Sequence, residues 1–300
     1  MNSVVSRWYD PWLTALAPLI WGSTYVVTTE FLPPDVPLLS AALRTLPVGL
    51  LILLWLRQLP AAGWWGKILL LGFLNIGVFQ ALLFVAAYRL PGGVAATVGA
   101  IQPLVVLLLS WALLGGRTSW LSWVAALSGL AGVAMLVLGP AAQLDSLGVF
   151  AAATGALAMA CGTLLTKKWQ PPANALVLTS WQLTVGGLFL LPLAFSVETL
   201  PPSLSLTHIL GYLWLGLIGT GLTYVFWLRG VIRMPASAVT GFSLLSPLSA
   251  SVLGFIVLDQ HLTVLQSLGM VLVLAGVWLG QHKAAVVISE PIHSPRKRQL

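Results

Sequence analysis

The chain has 300 residues, of which 58% are hydrophobic and 7% are Asp, Glu, Lys or Arg, with a formal net charge of +7. Soluble domains carry roughly a quarter charged residues, so a water-soluble fold of this size is excluded and lipid must serve as the solvent. One cysteine, Cys161, excludes an internal disulfide framework and argues against a cysteine metal site.

Ten apolar stretches are long enough to cross a bilayer, which takes about 20 residues each. In chain order they cover residues 13–31, 36–56, 67–88, 91–114, 119–139, 147–166, 174–196, 208–229, 236–258 and 262–282. We therefore expect an all-α integral membrane protein with ten transmembrane helices. The first stretch lacks a signal-peptide cleavage site and is expected to be retained. The polar segment 284–300 is expected to be a disordered tail.

Basic residues predict the orientation, because Lys and Arg near helix ends stay on the cytoplasmic side. With the N-terminus inside, twelve basic residues fall in inner segments, and the outer connections hold Arg89 with five acids. The pattern predicts an inner-membrane protein with both termini in the cytoplasm. The net positive charge is explained by these basic residues, which orient the protein in the membrane, so no nucleic-acid partner is expected.

The chain repeats itself at an offset of 144 residues. Leu130–Val133 and Leu274–Val277 both read LAGV, and the same offset superposes Pro103 on Pro247 and Arg89 on Arg233. Five helices per repeat is an odd number, so the second copy is inverted in the membrane. We expect repeats at 1–140 and 141–283, with a substrate site between them at the midplane and alternating access as the mechanism.

These features resemble the EamA branch of the drug/metabolite transporter superfamily. The resemblance rests on the ten-helix repeat pattern, on Trp21-Gly22-Ser23, on Pro103 and Pro247, and on the repeat ends at 121–133 and 265–277. Within that branch the chain is most similar to the YddG-type exporters of aromatic amino acids. Many members carry Gly-Glu after the fourth and ninth helices, where this chain has Gly116-Arg117 and Asp259-Gln260.

The resemblance implies a central cavity lined by helices 1, 3, 4, 6, 8 and 9. Polar and aromatic residues near the middle of those helices are the candidates for binding substrate. They are Trp21, Tyr25, Asn75, Phe79, Gln80, Gln102, Thr163, Tyr224, Trp227 and Ser246. Pro103 and Pro247 are expected to kink their helices and to free the carbonyls of Gly99 and Ser243, which can accept from an ammonium group.

Each candidate also has a structural explanation. Asn75 and Gln102 can tie helices together instead of touching substrate. Arg44 is the one charge predicted near the bilayer centre, where charges face protein or water. It either bonds helix-end carbonyls between the first two helices or attracts a substrate carboxylate. Small pairs such as Ser128 with Gly132 indicate close packing of helices 5 and 10.

No carboxylate is predicted at the midplane, whereas ion-coupled carriers usually need an acid there. We therefore expect uncoupled, facilitated export of amino acids with aromatic or other apolar side chains. A multidrug or nucleotide-sugar-like exchanger is the alternative within transport. An intramembrane enzyme or a structural protein is the alternative outside it, although the chain contains no catalytic motif. No cofactor or metal is expected, and the protein is expected to be a monomer or weak dimer.

Overall fold

A computed structural model describes residues 2–90, 92–114, 119–137, 145–257 and 263–289, and every regular element in these ranges is helical. The helices of the first half are α1 Asn2–Trp21, α2 Ser23–Phe31, α3 Pro37–Leu56, α4 Trp65–Gly72, α5 Phe79–Arg89, α6 Gly92–Gly99, α7 Gln102–Leu114 and α8 Trp120–Val137. Those of the second half are α9 Ser146–Trp169, α10 Ala175–Val197, α11 Leu206–Leu213, α12 Thr223–Arg233, α13 Ala236–Gly241, α14 Leu245–Val257 and α15 Val264–Ser289.

Six helical stretches in the described ranges are long and apolar enough to cross a membrane. They are Pro37–Leu56, Ala62–Arg89, Ser146–Trp169, Ala175–Val197, Leu206–Arg233 and Ala236–Leu253. Three shorter apolar helices accompany them, Gln102–Ala112, Trp120–Met135 and Ser267–Leu279. Large apolar side chains such as Trp55, Phe150 and Phe195 are exposed on these helices, as lipid-facing residues are. The protein is therefore an all-helical membrane protein with several spans.

Two of the long stretches contain a π-helical segment. The first π segment, Phe73–Val78, joins α4 to α5, and the second, Trp214–Leu222, joins α11 to α12. In a π-helix the hydrogen bonds run between residues five apart, and such segments often occur at functional sites. An offset of 144 residues places the first segment within the second.

Three predicted helices are interrupted rather than continuous. The first divides at Gly22, where a Cβ atom would lie 2.7 Å from the backbone nitrogen of Ala250 in α14. The fourth divides between α6 and α7, and the ninth passes through a 3-10 turn at Phe242–Leu244. Pro103 and Pro247 lie in the first turn of the helix that follows each break, where a missing N–H costs little.

Reciprocal glycine contacts hold two pairs of helices together. In the α3–α10 pair, a Cβ at Gly49 would lie 2.6 Å from the nitrogen of Thr184, and a Cβ at Gly187 would lie 2.5 Å from the Cβ of Leu46. In the α8–α15 pair, Gly132 contacts Gly269 and Val273, and Gly276 contacts Ala125 and Gly129. Small residues let membrane helices approach closely. The glycines of the last helix in each half therefore serve packing within one chain.

Ion pairs lie at opposite ends of the bundle. Asp10, which is buried, accepts from Arg229 Nε at 2.6 Å and from Arg233 Nη1 at 3.4 Å. At the other end Arg89 Nη1 lies 2.9 Å from Asp145 Oδ2, and both side chains are well exposed. Asp145 also caps α9 by accepting from the N–H groups of Leu147 and Gly148.

Several predicted features fall outside the described residues. Gly116-Arg117 and Asp259-Gln260 are among them, as is most of the predicted tail, residues 290–300. The last helix, α15, reaches Ser289 and so includes the first residues of that tail.

Candidate functional site

A cavity lies between the helices of the two halves and has an empty volume of about 830 Å³, including its open mouth. Its walls come from α1, α2, α3, α5, α6, α7, α9, α12 and α14 with the adjoining 3-10 turn. The lining residues are Trp21, Thr24, Tyr25, Arg44, Phe79, Gln80, Leu83, Ala86, Ala95, Ala96, Gly99, Ala100, Gln102, Ala152, Gly155, Ala156, Met159, Tyr224, Ser243, Ser246 and Pro247.

Two aromatic residues, Trp21 and Tyr224, form what we call the aromatic floor of the cavity. Their ring centroids lie 5.5 Å apart, and Trp227 packs against Trp21 at 5.2 Å. Trp227 is fully buried in a cluster with Ala17 and Val231 that fills the space between α1 and α12. The cavity therefore ends at this floor, with packed side chains between it and Asp10.

Arg44 supplies the one formal charge among the described lining residues. It projects from α3 and is buried, with 1% of its surface exposed. Its Nε donates to Thr220 Oγ1 at 2.6 Å and its Nη2 to the carbonyl of Gly219 at 2.7 Å, both in the second π segment. One sequence-based alternative placed this contact between the first two helices, and the structure places it on the eighth instead.

A hydrogen-bonded chain connects the aromatic floor to Arg44. Trp21 Nε1 donates to Thr223 Oγ1 at 2.9 Å, and Thr223 Oγ1 donates to the carbonyl of Gly219 at 2.8 Å. That carbonyl also accepts from Arg44. The floor and the cation are thus held in one arrangement by the second π segment.

Four buried polar atoms on lining residues have no hydrogen-bond partner among the described residues. They are Thr24 Oγ1, Arg44 Nη1, Gln80 Oε1 and Gln102 Nε2. The amide nitrogen of Gln80 donates to the hydroxyl of Tyr224 at 2.9 Å. Unsatisfied buried polar groups are costly, and a polar ligand group or an ordered water in the cavity would supply the missing hydrogen bonds.

Seven of the ten predicted substrate-binding residues line this cavity. They are Trp21, Tyr25, Phe79, Gln80, Gln102, Tyr224 and Ser246. Gly99 and Ser243, whose carbonyls the prolines were expected to free, also line it, together with Pro247. Pro103 lies instead beside a smaller pocket with Leu107 and Ser122.

The other three predicted residues lie away from the cavity wall. Asn75 is in the first π segment and donates to Gln182 Oε1 at 2.8 Å. Asn75 and Phe79 both lie against α9, Asn75 beside Gly162 and Phe79 beside Gly155, but of these two only Phe79 lines the cavity. Thr163 is one turn beyond Met159, the deepest lining residue of α9. Trp227 is on the far side of Trp21 from the cavity.

The sequence prediction named none of the four small or flexible residues that α9 contributes to the cavity wall. Ala152, Gly155, Ala156 and Met159 follow the i, i+3, i+4, i+7 spacing of one helix face. That spacing was a usable signal, but small apolar residues are so frequent here that it stood out poorly. Thr24 was also missed, although it lies three residues from Trp21.

Among the described residues, the lining carries no carboxylate, and no group of three or more His, Cys, Asp or Glu side chains could bind a metal ion. The site is thus apolar and aromatic, with amides, hydroxyls and one guanidinium. Such a surface suits binding and orientation of a small molecule.

Comparison with known proteins assigns the fold and the class. The sequence matches the EamA-like transporter family twice, over residues 10–138 and 146–280. It is 44% identical over 267 residues to Protein PecM of Dickeya dadantii, covering 88% of this chain and 90% of that one. It is 27% identical to the uncharacterized transporter YvbV of Bacillus subtilis, covering 93% and 95%.

A third relative, the uncharacterized inner membrane transporter YedA of Escherichia coli, is 30% identical, covering 79% of this chain and 78% of its own. One solved crystal structure superposes with a TM-score of 0.76 at 18% identity, covering 91% of this chain and 98% of the other. At that identity the likeness concerns the fold alone.

Proposed function

Because the chain belongs to the EamA-like transporter family, we propose that it exports amino acids with aromatic or other apolar side chains across the inner membrane. Membership in this family, with relatives named as transporters, points to a transporter and not to an enzyme. The proposed substrate, an aromatic amino acid, comes from the resemblance of the sequence to YddG-type exporters.

The composition of the cavity carries the proposal. Trp21, Tyr25, Phe79 and Tyr224 offer aromatic surface for an apolar side chain, and Gln80 and Gln102 add uncompensated amide atoms. A zwitterion with an apolar group matches such a wall. A phosphate-bearing substrate would favour several cations, and Arg44 is the one that the described wall contains.

We further propose that ten helices form two inverted repeats. Support comes from the π segments at equivalent positions, from the reciprocal glycine contacts, and from the separate family matches of each half. The most extensive packing pairs α3 with α10, α8 with α15, α5 with α9 and α1 with α12. A two-fold axis between the two repeats would relate the α5–α9 pair to the α1–α12 pair. The same axis would map the α3–α10 pair and the α8–α15 pair each onto itself.

Inverted repeats give two packings of similar energy, one open to each side. The ion pairs support this mechanism, because the repeat offset relates Arg233 to Arg89. At one end Arg233 and Arg229 enclose a buried Asp10, and the bundle is filled above it. At the other end Arg89 and Asp145 are exposed. We propose that the cavity is open towards Arg89 here and that the two ends exchange roles during transport.

With both termini in the cytoplasm, as the basic residues predict, this state faces outward. Transport is proposed to be uncoupled, because the part of the cavity wall that the structure describes contains no carboxylate to carry a proton or hold a sodium ion. The direction in the cell then follows the substrate gradient.

Counterflow in proteoliposomes tests the function. Vesicles containing the purified chain are loaded with unlabelled L-tryptophan, and uptake of labelled L-tryptophan is measured without an ion gradient. Saturable, trans-stimulated uptake is expected. Phe79→Ala removes a ring from the cavity and should lower the uptake, whereas Phe195→Ala, on an exposed position, should leave it unchanged.

Uptake that neither saturates nor responds to internal substrate would contradict a carrier. Saturable counterflow of nucleotide sugars or of cationic drugs, without competition by amino acids, would replace the proposed substrate with the alternative one.

A further inference from the structure

The guanidinium of Arg44 is held by two of its nitrogens and leaves the third without a partner. Nε and Nη2 bind Thr220 and Gly219, while Nη1 has no hydrogen-bond partner among the described residues. None of the ion pairs in the described part of the chain includes Arg44. The nearest aromatic face is that of Phe84, with its centroid 5.8 Å from Cζ.

An arginine in this setting needs an anion. Removing a charge from water costs several kcal/mol, and neutral hydrogen bonds recover only part of that cost. A purely structural arginine would have its remaining N–H groups satisfied by carbonyls or a carboxylate. Nη1 is itself buried, but it belongs to a residue of the cavity wall, so a small movement of wall side chains would let an anionic ligand group in the cavity bind it.

The other unpartnered atoms of the wall complete a set suited to a zwitterion. Gln102 Nε2 is a second donor for a carboxylate. Gln80 Oε1 and Thr24 Oγ1 can accept, and these suit an ammonium group. The amide of Gln80 is fixed by its bond to Tyr224, which orients the oxygen as the free atom.

We propose that Arg44 is the carboxylate anchor of the substrate site and makes the carrier select amino acids over the corresponding amines. This rests on the proposed function, whose substrate it specifies more closely. The bonds to Thr220 and Gly219 hold the guanidinium in place, and Nη1 binds the substrate carboxylate. The charge-assisted bond forms in a site shielded from water, where it is strong.

The test compares three probes that share an indole ring. L-tryptophan carries both charges, tryptamine lacks the carboxylate and 3-indolepropionate lacks the ammonium group. Each is measured as a competitor of labelled L-tryptophan in counterflow, and as a ligand that raises the unfolding temperature of the purified chain in detergent. The wild type, Arg44→Gln, Arg44→Lys and Arg57→Gln are compared, the last being an exposed arginine outside the cavity.

In the wild type, tryptamine should bind at least about tenfold more weakly than tryptophan, a difference of about 1.4 kcal/mol. Arg44→Gln should abolish this preference, Arg44→Lys should retain part of it, and Arg57→Gln should retain all of it. A structural role for Arg44 predicts another pattern, in which both affinities fall together and their ratio persists. That pattern, or equal binding of tryptamine and tryptophan to the wild type, would overturn the proposal.

Failure of the proposed function gives a different result. If no probe is transported, but 3-indolepropionate or benzoate stabilises the wild type and fails to stabilise Arg44→Gln, the anion site stands and amino-acid transport falls. If no carboxylate stabilises the wild type, the anchor is wrong whatever the chain transports. The wild-type comparison also decides the question if Arg44→Gln does not fold.

Discussion

The indole N–H of Trp21 donates to Thr223 Oγ1 at 2.9 Å, across the boundary between α1 and α12. Thr223 Oγ1 in turn donates to the carbonyl of Gly219, which also accepts a hydrogen bond from Arg44. The repeat helices that carry the floor and the cation are therefore connected by side chains as well as by packing. A substitution in the aromatic floor should therefore also affect Arg44.

Trp21→Phe and Thr223→Val should each weaken tryptophan binding about fivefold, because each removes a hydrogen bond worth about 1 kcal/mol. The double variant should be little worse than either single one, since both changes break the same chain. Counterflow affinities of the four forms measure this coupling. Thr29→Val is the control, because that exposed hydroxyl bonds within its own helix. Additive losses would show that the two residues act independently.

The glycine contacts predict where the bundle tolerates no side chain. Gly49→Ala places a Cβ 2.6 Å from the Thr184 nitrogen and should destabilise the protein by about 1–3 kcal/mol through overpacking. Gly66→Ala meets nothing within 4 Å and should be neutral or slightly stabilising. Thermal unfolding in detergent measures both. Equal unfolding temperatures for the two variants would contradict the close approach of α3 and α10.

The sequence predicted the helical class well, because composition and charge placement depend on the membrane and little on packing. It missed the division of the first helix at Gly22, where contact with Ala250 of α14 excludes any side chain. It also missed both π segments. The change from α-helical to π-helical hydrogen bonding depends on contacts with neighbouring helices. The local sequence, including Gly72 and Gly77, does not indicate it.

The position of Asn75 depends on a contact between two helices. Asn75 was paired with Phe79 by α-helical spacing, and both side chains do contact α9, but the amide of Asn75 donates to Gln182 of α10 and does not line the cavity. Residues on regular helices, such as Trp21 and Tyr25 or Gln80 and Tyr224, were placed on the cavity wall. The partners of Arg44 were not predictable, since Gly219 and Thr220 come to it from 175 and 176 positions away in the sequence.

A proton gradient should not drive the carrier. None of the described residues of the cavity wall is a carboxylate that could bind a proton during transport. Counterflow of tryptophan should therefore be unchanged between about pH 6 and pH 8, and an imposed pH gradient should produce no accumulation above equilibrium. Proteoliposomes with and without a gradient measure this directly. Concentrative uptake driven by pH alone would sink the uncoupled mechanism.

The ion pair at the exposed end should be sensitive to acid. Hydrogen bonds lower the pKa of Asp145 below its usual range, the one from the Gly148 N–H having the largest effect and the one from Arg89 the next largest. A carboxyl whose pKa is lower in the folded state stabilises fully above its unfolded pKa of about 3.9, and the benefit is lost as the pH falls through the folded value. Asp145→Asn should therefore lower the unfolding temperature slightly at neutral pH and have no effect in strong acid.

Arg89→Gln offers a comparison, because it removes the second cause of the shift and keeps the helix cap. It should show a smaller loss at neutral pH than Asp145→Asn. A difference between wild type and Asp145→Asn that persists unchanged in strong acid would assign the effect to packing instead of charge.

The buried Asp10 should control the closed end. Asp10→Asn weakens its bonds to Arg229 and Arg233 and should destabilise the protein by about 1–3 kcal/mol. If this cluster closes the bundle, the variant should also populate the state open at that end. Ala17, which is fully buried beside the aromatic floor, is the position to probe.

In a Cys161→Ser background, Ala17→Cys should react slowly with a membrane-impermeant maleimide applied from the N-terminal side. Adding Asp10→Asn should raise that rate several-fold, because the filled space between α1 and α12 must open for the reagent to enter. Adding Arg89→Gln instead should leave the rate unchanged or lower it, since that pair belongs to the opposite end. If both changes raise the rate equally, the ion pairs are general supports of the bundle, and the exchange of roles between the two ends is wrong.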